Sequence, residues 1–248
     1  MKHDWHKNEF RTMVAIGDSI TAGAWASSRN KSWVHRLSLL INEFQSTQVN
    51  YFNVGIGGNV ISTKSRAYEY SNKPAGNERV ERDILAYRPD LLFIAYGFND
   101  LRGGTSLPVF CDEFKGFIKK IRERIQPLIL ILGPYYYYNY ERGRGYWDHG
   151  SIEILYEYNR GMLSFAEQNN CLFVDLLDVY NQADWLIYND GVHPNDIGHA
   201  VIANKVFQVL ASNCLCLSLK VKSDEQDIKP WRNESLLIIS SRIDSEIT

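Results

Sequence analysis

Cysteine is scarce: four residues in 248, none in a CxxC pair, so neither a zinc ribbon nor a dense disulfide framework is available. Cys111, Cys171, Cys214 and Cys216 read as free thiols, with a Cys214–Cys216 bridge open only to an exported protein. No metal and no other cofactor is expected. Excess charge is also lacking: 27 Lys and Arg against 29 Asp and Glu leave a net charge of -2, too balanced for a field that draws nucleic acid or anionic lipid. No apolar run approaches the ~18 residues of a membrane span. The opening Met1 to Arg11 is polar, without the h-region of a signal peptide, so the expectation is a cytoplasmic protein acting on a small molecule. There are no repeats and no low-complexity tract beyond Tyr135-Tyr136-Tyr137-Tyr138.

What is present is alternation. Thr12 to Ile16, Val49 to Val54, Leu91 to Ala95, Leu128 to Leu132 and Leu172 to Val174 read as buried strands. Trp33 to Phe44, Glu78 to Tyr87, Leu107 to Ile125, Ile152 to Asn169 and Asp196 to Leu210 carry helical periodicity between and after them. Strands joined by crossover helices predict an α/β protein, a three-layer α/β/α sandwich around a five-stranded parallel sheet, with ligands at the carboxyl ends of the strands. Residues 1–212 form this one domain. Beyond it, Leu215, Leu217, Leu219 and Val221 alternate with polar residues, and a second apolar run covers Leu236 to Ile239. This pattern predicts a two-strand appendage over 213–248 that extends the sheet edge or joins another subunit of a homo-oligomer.

Ser19 directly follows the first strand, in Gly17-Asp18-Ser19, where its hydroxyl projects at the mouth of a helix with backbone N–H groups facing a developing anion. Taken alone, it is equally a helix cap. Asp190 precedes His193 by three positions, a spacing that lets the carboxylate reach Nδ1 and leave Nε2 free as a base for a serine. Two loops supply anion donors: Asn53 to Asn59 after the second strand, where glycines allow close backbone approach, and Gly97-Phe98-Asn99-Asp100 after the third. His199 falls on the last helix and does no chemistry.

Together these four segments resemble the blocks of the SGNH, or GDSL, hydrolase family over roughly residues 12–210. The resemblance implies a flavodoxin-like fold and an active carboxylic ester hydrolase with a catalytic triad of Ser19, His193 and Asp190. It implies an oxyanion hole made by the N–H groups of Ser19 and Gly58 and the Asn99 amide, with the adjacent Gly57 the alternative to Gly58. Within the family, short-acyl esters of a carbohydrate or other small polar alcohol are the first expectation, and a lysophospholipase or acyl thioesterase the second. Asp18, Tyr137 and Trp147 are the candidate substrate contacts. The latter two belong to an aromatic segment, Tyr135 to Trp147, that follows the fourth strand and forms either a pocket wall or its own packing. Trp25 and Trp33 line the opposite wall or belong to the core.

Two rivals remain. Gly58 to Ser65 lacks only the second glycine of a phosphate-binding loop, with Thr63 in its place, which points to a nucleotide-binding protein. The other is a catalytically silent member of the family that uses its cleft as a binding module.

Overall fold

The structure is a computed structural model, and it describes residues 4–224. Five parallel strands form one sheet in the order β2-β1-β3-β4-β5: β1 (Thr12–Gly17), β2 (Asn50–Asn53), β3 (Leu91–Ala95), β4 (Leu128–Leu132) and β5 (Leu172–Val174). Met13 to Ile16, Leu91 to Ile94 and Leu128 to Leu132 are buried, which is why these stretches are continuously apolar rather than alternating.

The helices are α1 (Ser19–Ala22), α2 (Trp33–Phe44), α3 (Tyr68–Ser71), α4 (Val80–Asp83), α5 (Phe98–Arg102), α6 (Leu107–Arg122), α7 (Ile152–Gln168), α8 (Leu176–Tyr180), α9 (Asp196–Asn213) and α10 (Leu219–Asp224). The chain moves from β1 to β2 in one direction, then jumps back to β3 and runs on to β5. Because crossovers are right-handed, that reversal sends the connecting helices to opposite faces. Accordingly α2 packs with the returning α9, while α6 packs with α7 and α4. The reversal also opens a crevice at the carboxyl ends of β1 and β3, whose last residues Gly17 and Ala95 are in register.

Three expectations need correction. The segment read as one helix from Glu78 to Tyr87 is a series of short turns, Gly76–Glu78, α4 and Leu85–Tyr87. It is organised around the buried Arg79, which donates to Asp83 Oδ2 (2.6 Å) one turn on and also to Asn59, Tyr96 and the Val54 carbonyl. Next, β2 is an exposed edge strand, not a buried one, with Asn50, Tyr51 and Asn53 facing solvent. Finally, residues 215–221 are helical: a 3-10 turn, Leu215–Ser218, leads into α10. The buried side chains there are Cys214, Cys216 and Leu217, while Leu215, Leu219 and Val221 are exposed. Cysteines scored as polar in the alternation are small apolar groups, and they take the core positions. The second expected strand, Leu236 to Ile239, lies outside the described residues.

Candidate active site

The site is built from the first turn outward. Asp18 caps α1, its carboxylate accepting from Ile20 N at 2.9 Å, so Ser19 begins the helix with its side chain free to leave the turn. Ser19 Oγ lies 2.9 Å from His193 Nε2, and His193 Nδ1 lies 2.6 Å from Asp190 Oδ2. The other carboxylate oxygen, Oδ1, accepts from Val192 N (2.9 Å) and His193 N (3.0 Å). An acceptor at Nδ1 requires the proton there, which leaves the Nε2 lone pair for the serine hydroxyl. Burial raises the Asp190 carboxyl, but its three donors outweigh this and hold it below the ordinary range. Burial lowers the His193 imidazole, against an upward pull from Asp190, and the net shift is downward. The imidazole is thus neutral at neutral pH.

Facing this relay is the turn after β2. Gly58 has φ +69°, a left-handed conformation that glycine adopts without strain, and it lines the cleft beside Ser19 and Asn99. Gly57 also adjoins Ser19, since a Cβ on it would stand 3.8 Å from Ser19 Cβ, and its carbonyl accepts from Lys73 Nζ. Asn99, on the first turn of α5, gives one Nδ2 proton to Asn59 O at 3.0 Å and has a longer contact of 3.5 Å to Asp18 Oδ2. Arg79 braces this turn from beneath through Val54 O and Asn59 Oδ1. Sequence reasoning missed Arg79, although its i,i+4 spacing to Asp83 is a visible signal.

The segment after β4 divides in two. Trp147 lines the cleft together with Gly143 and Arg142. Tyr137 does not: it is fully buried, with Phe98 and Tyr140 against its ring and the Arg102 guanidinium 5.3 Å from the ring centroid. Asp18 is likewise buried as a cap, not a substrate contact. Desolvation raises its carboxyl to about 7. Of the two tryptophans, Trp33 is core, whereas Trp25 is half-exposed and stacks on Tyr188 at 4.7 Å, 6.1 Å from the His193 ring.

This segment also fastens the histidine loop. Gly191 O accepts from Tyr138 N and Asn139 N, Asn139 Nδ2 donates to Asp190 O, and Tyr135 Oη donates to Val192 O. A Cβ on Gly191 would stand 2.4 Å from Asn139 Cβ, so only glycine permits the approach. His199 is buried on α9 with Nε2 3.0 Å from Ala24 O, holding the loop that follows α1.

The cleft encloses about 430 Å³. Two arginines that sequence reasoning did not single out, Arg102 and Arg142, complete its lining. The stretch resembling a phosphate loop has a different architecture: Lys64 pairs with Glu113 (2.7 Å), and Ser65 is buried on Asp100.

Comparison with known proteins places the chain in a family. The chain is 25% identical over 214 residues to an acetylxylan esterase of Geobacillus stearothermophilus, covering 77% of this chain and 90% of that one. Its fold matches the crystal structure of a lipase/acylhydrolase from Enterococcus faecalis with a TM-score of 0.65 at 20% identity, over 81% of this chain and 95% of the other. It also matches a catalytic mutant of a Geobacillus stearothermophilus acetylxylan esterase with a TM-score of 0.61 at 20% identity, over 82% and 95%. The sequence profile of the GDSL-like lipase/acylhydrolase family matches residues 15–201, which span all four blocks of the cleft; the chain belongs to that family and is a carboxylic ester hydrolase.

Proposed function

We propose that Ser19, His193 and Asp190 form the catalytic triad of an esterase that removes short acyl groups from a carbohydrate or similar polar alcohol. The observation that carries this reading is the continuous relay, 2.9 Å from Ser19 Oγ to His193 Nε2 and 2.6 Å from Nδ1 to Asp190. His193 takes the hydroxyl proton as Ser19 Oγ attacks the ester carbonyl carbon. It then gives that proton to the departing alkoxide, leaving an acyl-enzyme. Water, deprotonated by the same Nε2, attacks the acyl carbon and releases the acid and the free serine. The oxyanion of each tetrahedral intermediate is held by the N–H groups of Ser19 and Gly58 and by the Asn99 amide. The left-handed turn at Gly58 supports Gly58 over Gly57.

The short-acyl preference rests on the cleft itself. At about 430 Å³, with Trp147 the one large aromatic among its described lining residues and two arginines beside it, the cleft suits a short acyl group better than a long apolar chain. The acetylxylan esterase relative is consistent with a sugar alcohol. Hydrolysis of p-nitrophenyl esters from acetyl to palmitoyl tests both points. Turnover that falls steeply with acyl length, and vanishes in a folded Ser19→Ala protein, is the expected result; undiminished turnover by Ser19→Ala refutes the triad. A palmitoyl optimum would instead favour the lysophospholipase or thioesterase reading.

A further inference from the structure

The chain as a whole is weakly acidic, yet the cleft around Ser19 and His193 is lined by two guanidiniums, Arg102 and Arg142, and by no carboxylate among the described residues. Arg102 is buried and makes no ion pair among the described residues. Its charge rests on the faces of Phe98 and Tyr137, 5.5 and 5.3 Å from the ring centroids, and on the Arg142 carbonyl at 2.8 Å. Arg142 sits above it with its side chain 44% exposed. Its nearest acid is Asp190, at 3.7 Å, beyond hydrogen-bond reach; both Asp190 oxygens are already bonded to His193 or its neighbouring amides. Arg142 is therefore held only by a loose ion pair, and its half-exposed guanidinium on the cleft wall keeps N–H donors for a ligand, so an anion there would gain from both cations.

The side of the cleft is also fixed. Arg142 stands beside the Asp190–His193 end of the relay, and His193 is the group that hands a proton to the leaving alkoxide. We propose that Arg142, backed by Arg102, selects esters whose alcohol part carries a carboxylate or phosphate. This rests on the esterase reading of the same cleft and names its substrate class: a short-acyl ester of an acidic alcohol, such as an acidic sugar. Arg102 is a positioning residue, since its own bond to the Arg142 carbonyl holds the loop that carries the second guanidinium.

The test uses two phenyl acetates differing in charge, 3-acetoxybenzoate and 3-acetoxybenzamide, with 3-acetoxyphenyl phosphate as the phosphate arm and monophenyl succinate, against phenyl butyrate, as the acyl-side arm. Each kcat/KM is divided by the hydroxide-catalysed rate of the same ester. All the esters share His193 and the oxyanion donors, so the ratio of charged to neutral isolates the cations. The wild-type enzyme is expected to favour the carboxylate or phosphate over the amide by about tenfold, a preference that shrinks in about 0.5 M salt, where the Debye length is roughly 4 Å. Arg142→Lys keeps the preference, Arg142→Gln flattens it and Arg142→Glu inverts it. Which anionic arm gains more identifies carboxylate or phosphate as the natural group. Equal hydrolysis of charged and neutral acetates by wild type, a ratio unmoved in a folded Arg142→Glu protein, or a preference confined to monophenyl succinate overturns the proposal. Hydrolysis of none of these esters by wild type overturns the esterase reading itself, a result distinct from hydrolysis without charge preference.

Discussion

Ser19 Oγ and His193 Nε2 meet at 2.9 Å although 174 positions separate them in the chain. The contact forms because Ser19 leaves the end of β1 at the crevice, while the loop carrying His193 is tied down by Tyr135, Tyr138 and Asn139 from the segment after β4. The two elements also hold each other, through His199 Nε2 on Ala24 O, Ser27 on Asp196 and the stacking of Trp25 on Tyr188. With these ties on both sides, the relay is preformed without substrate.

Replacing Asn99 by Ala removes one of the proposed oxyanion donors and leaves the relay untouched. The expected loss is about 10²–10³ in kcat with little change in KM, because the interaction strengthens only in the tetrahedral intermediate. Steady-state kinetics on p-nitrophenyl acetate measure it. A loss confined to KM would assign Asn99 to ground-state binding instead.

The pH dependence follows from His193. Its conjugate acid is held below the ordinary 6.5, first by burial, with Asp190 pulling the other way. The reactive form is neutral, so kcat/KM rises with pH through a midpoint below 6.5 and is flat above it. Asp190→Asn removes the group that raises the value. The midpoint therefore moves further down, while the plateau drops by about 10⁴ because the tautomer is no longer fixed. A midpoint that rises in Asp190→Asn contradicts this account of the site.

Much of this was legible in the sequence for a physical reason. Buried parallel strands must be apolar throughout, so Leu91 to Ala95 and Leu128 to Leu132 stand out at their full length. The four chemical blocks lie just past strand ends or against the last long helix, where local sequence fixes the backbone. Illegible were features that depend on distant partners. Nothing near Arg79 announces that it braces Val54 and Asn59 across 25 and 20 positions. Tyr137 and Trp147 look alike in sequence, and only the distant Phe98 and Arg102, against which Tyr137 packs, set its ring inward. At 214–221, burial of Cys214 and Cys216 overrode an apparent period of two.

Asp18 gives stability a pH dependence of unusual sign. Its folded-state carboxyl is raised from 3.8 to about 7, mainly by desolvation, with the nearby Asp100 charge adding to the rise. A raised acid binds its proton more tightly when folded. Its contribution is fully present below the unfolded value near 3.8 and is lost as pH climbs through about 7. Asp18→Asn keeps an acceptor for Ile20 N but cannot ionise. The difference in Tm, mutant minus wild type, should therefore grow as pH rises from about 4 to about 7.5. A constant difference across that range would show that Asp18 does not titrate on unfolding.

Tyr137 and Trp147 are expected to part ways when each is cut to alanine. Tyr137 is fully buried between Phe98, Tyr140 and the Arg102 guanidinium, so its loss leaves a cavity and removes a face over which that cation rests. Large-to-small changes of this kind cost about 3–5 kcal/mol, and denaturant unfolding should show it as a lower midpoint. Trp147 lines the cleft and is only partly buried, against Val60, Ala67 and Ala75, so Trp147→Ala should lower the unfolding midpoint less than Tyr137→Ala does and raise KM for aryl and sugar esters. If Trp147→Ala destabilises the protein as much as Tyr137→Ala does, with KM unchanged across several esters, then its ring serves the loop and not the substrate.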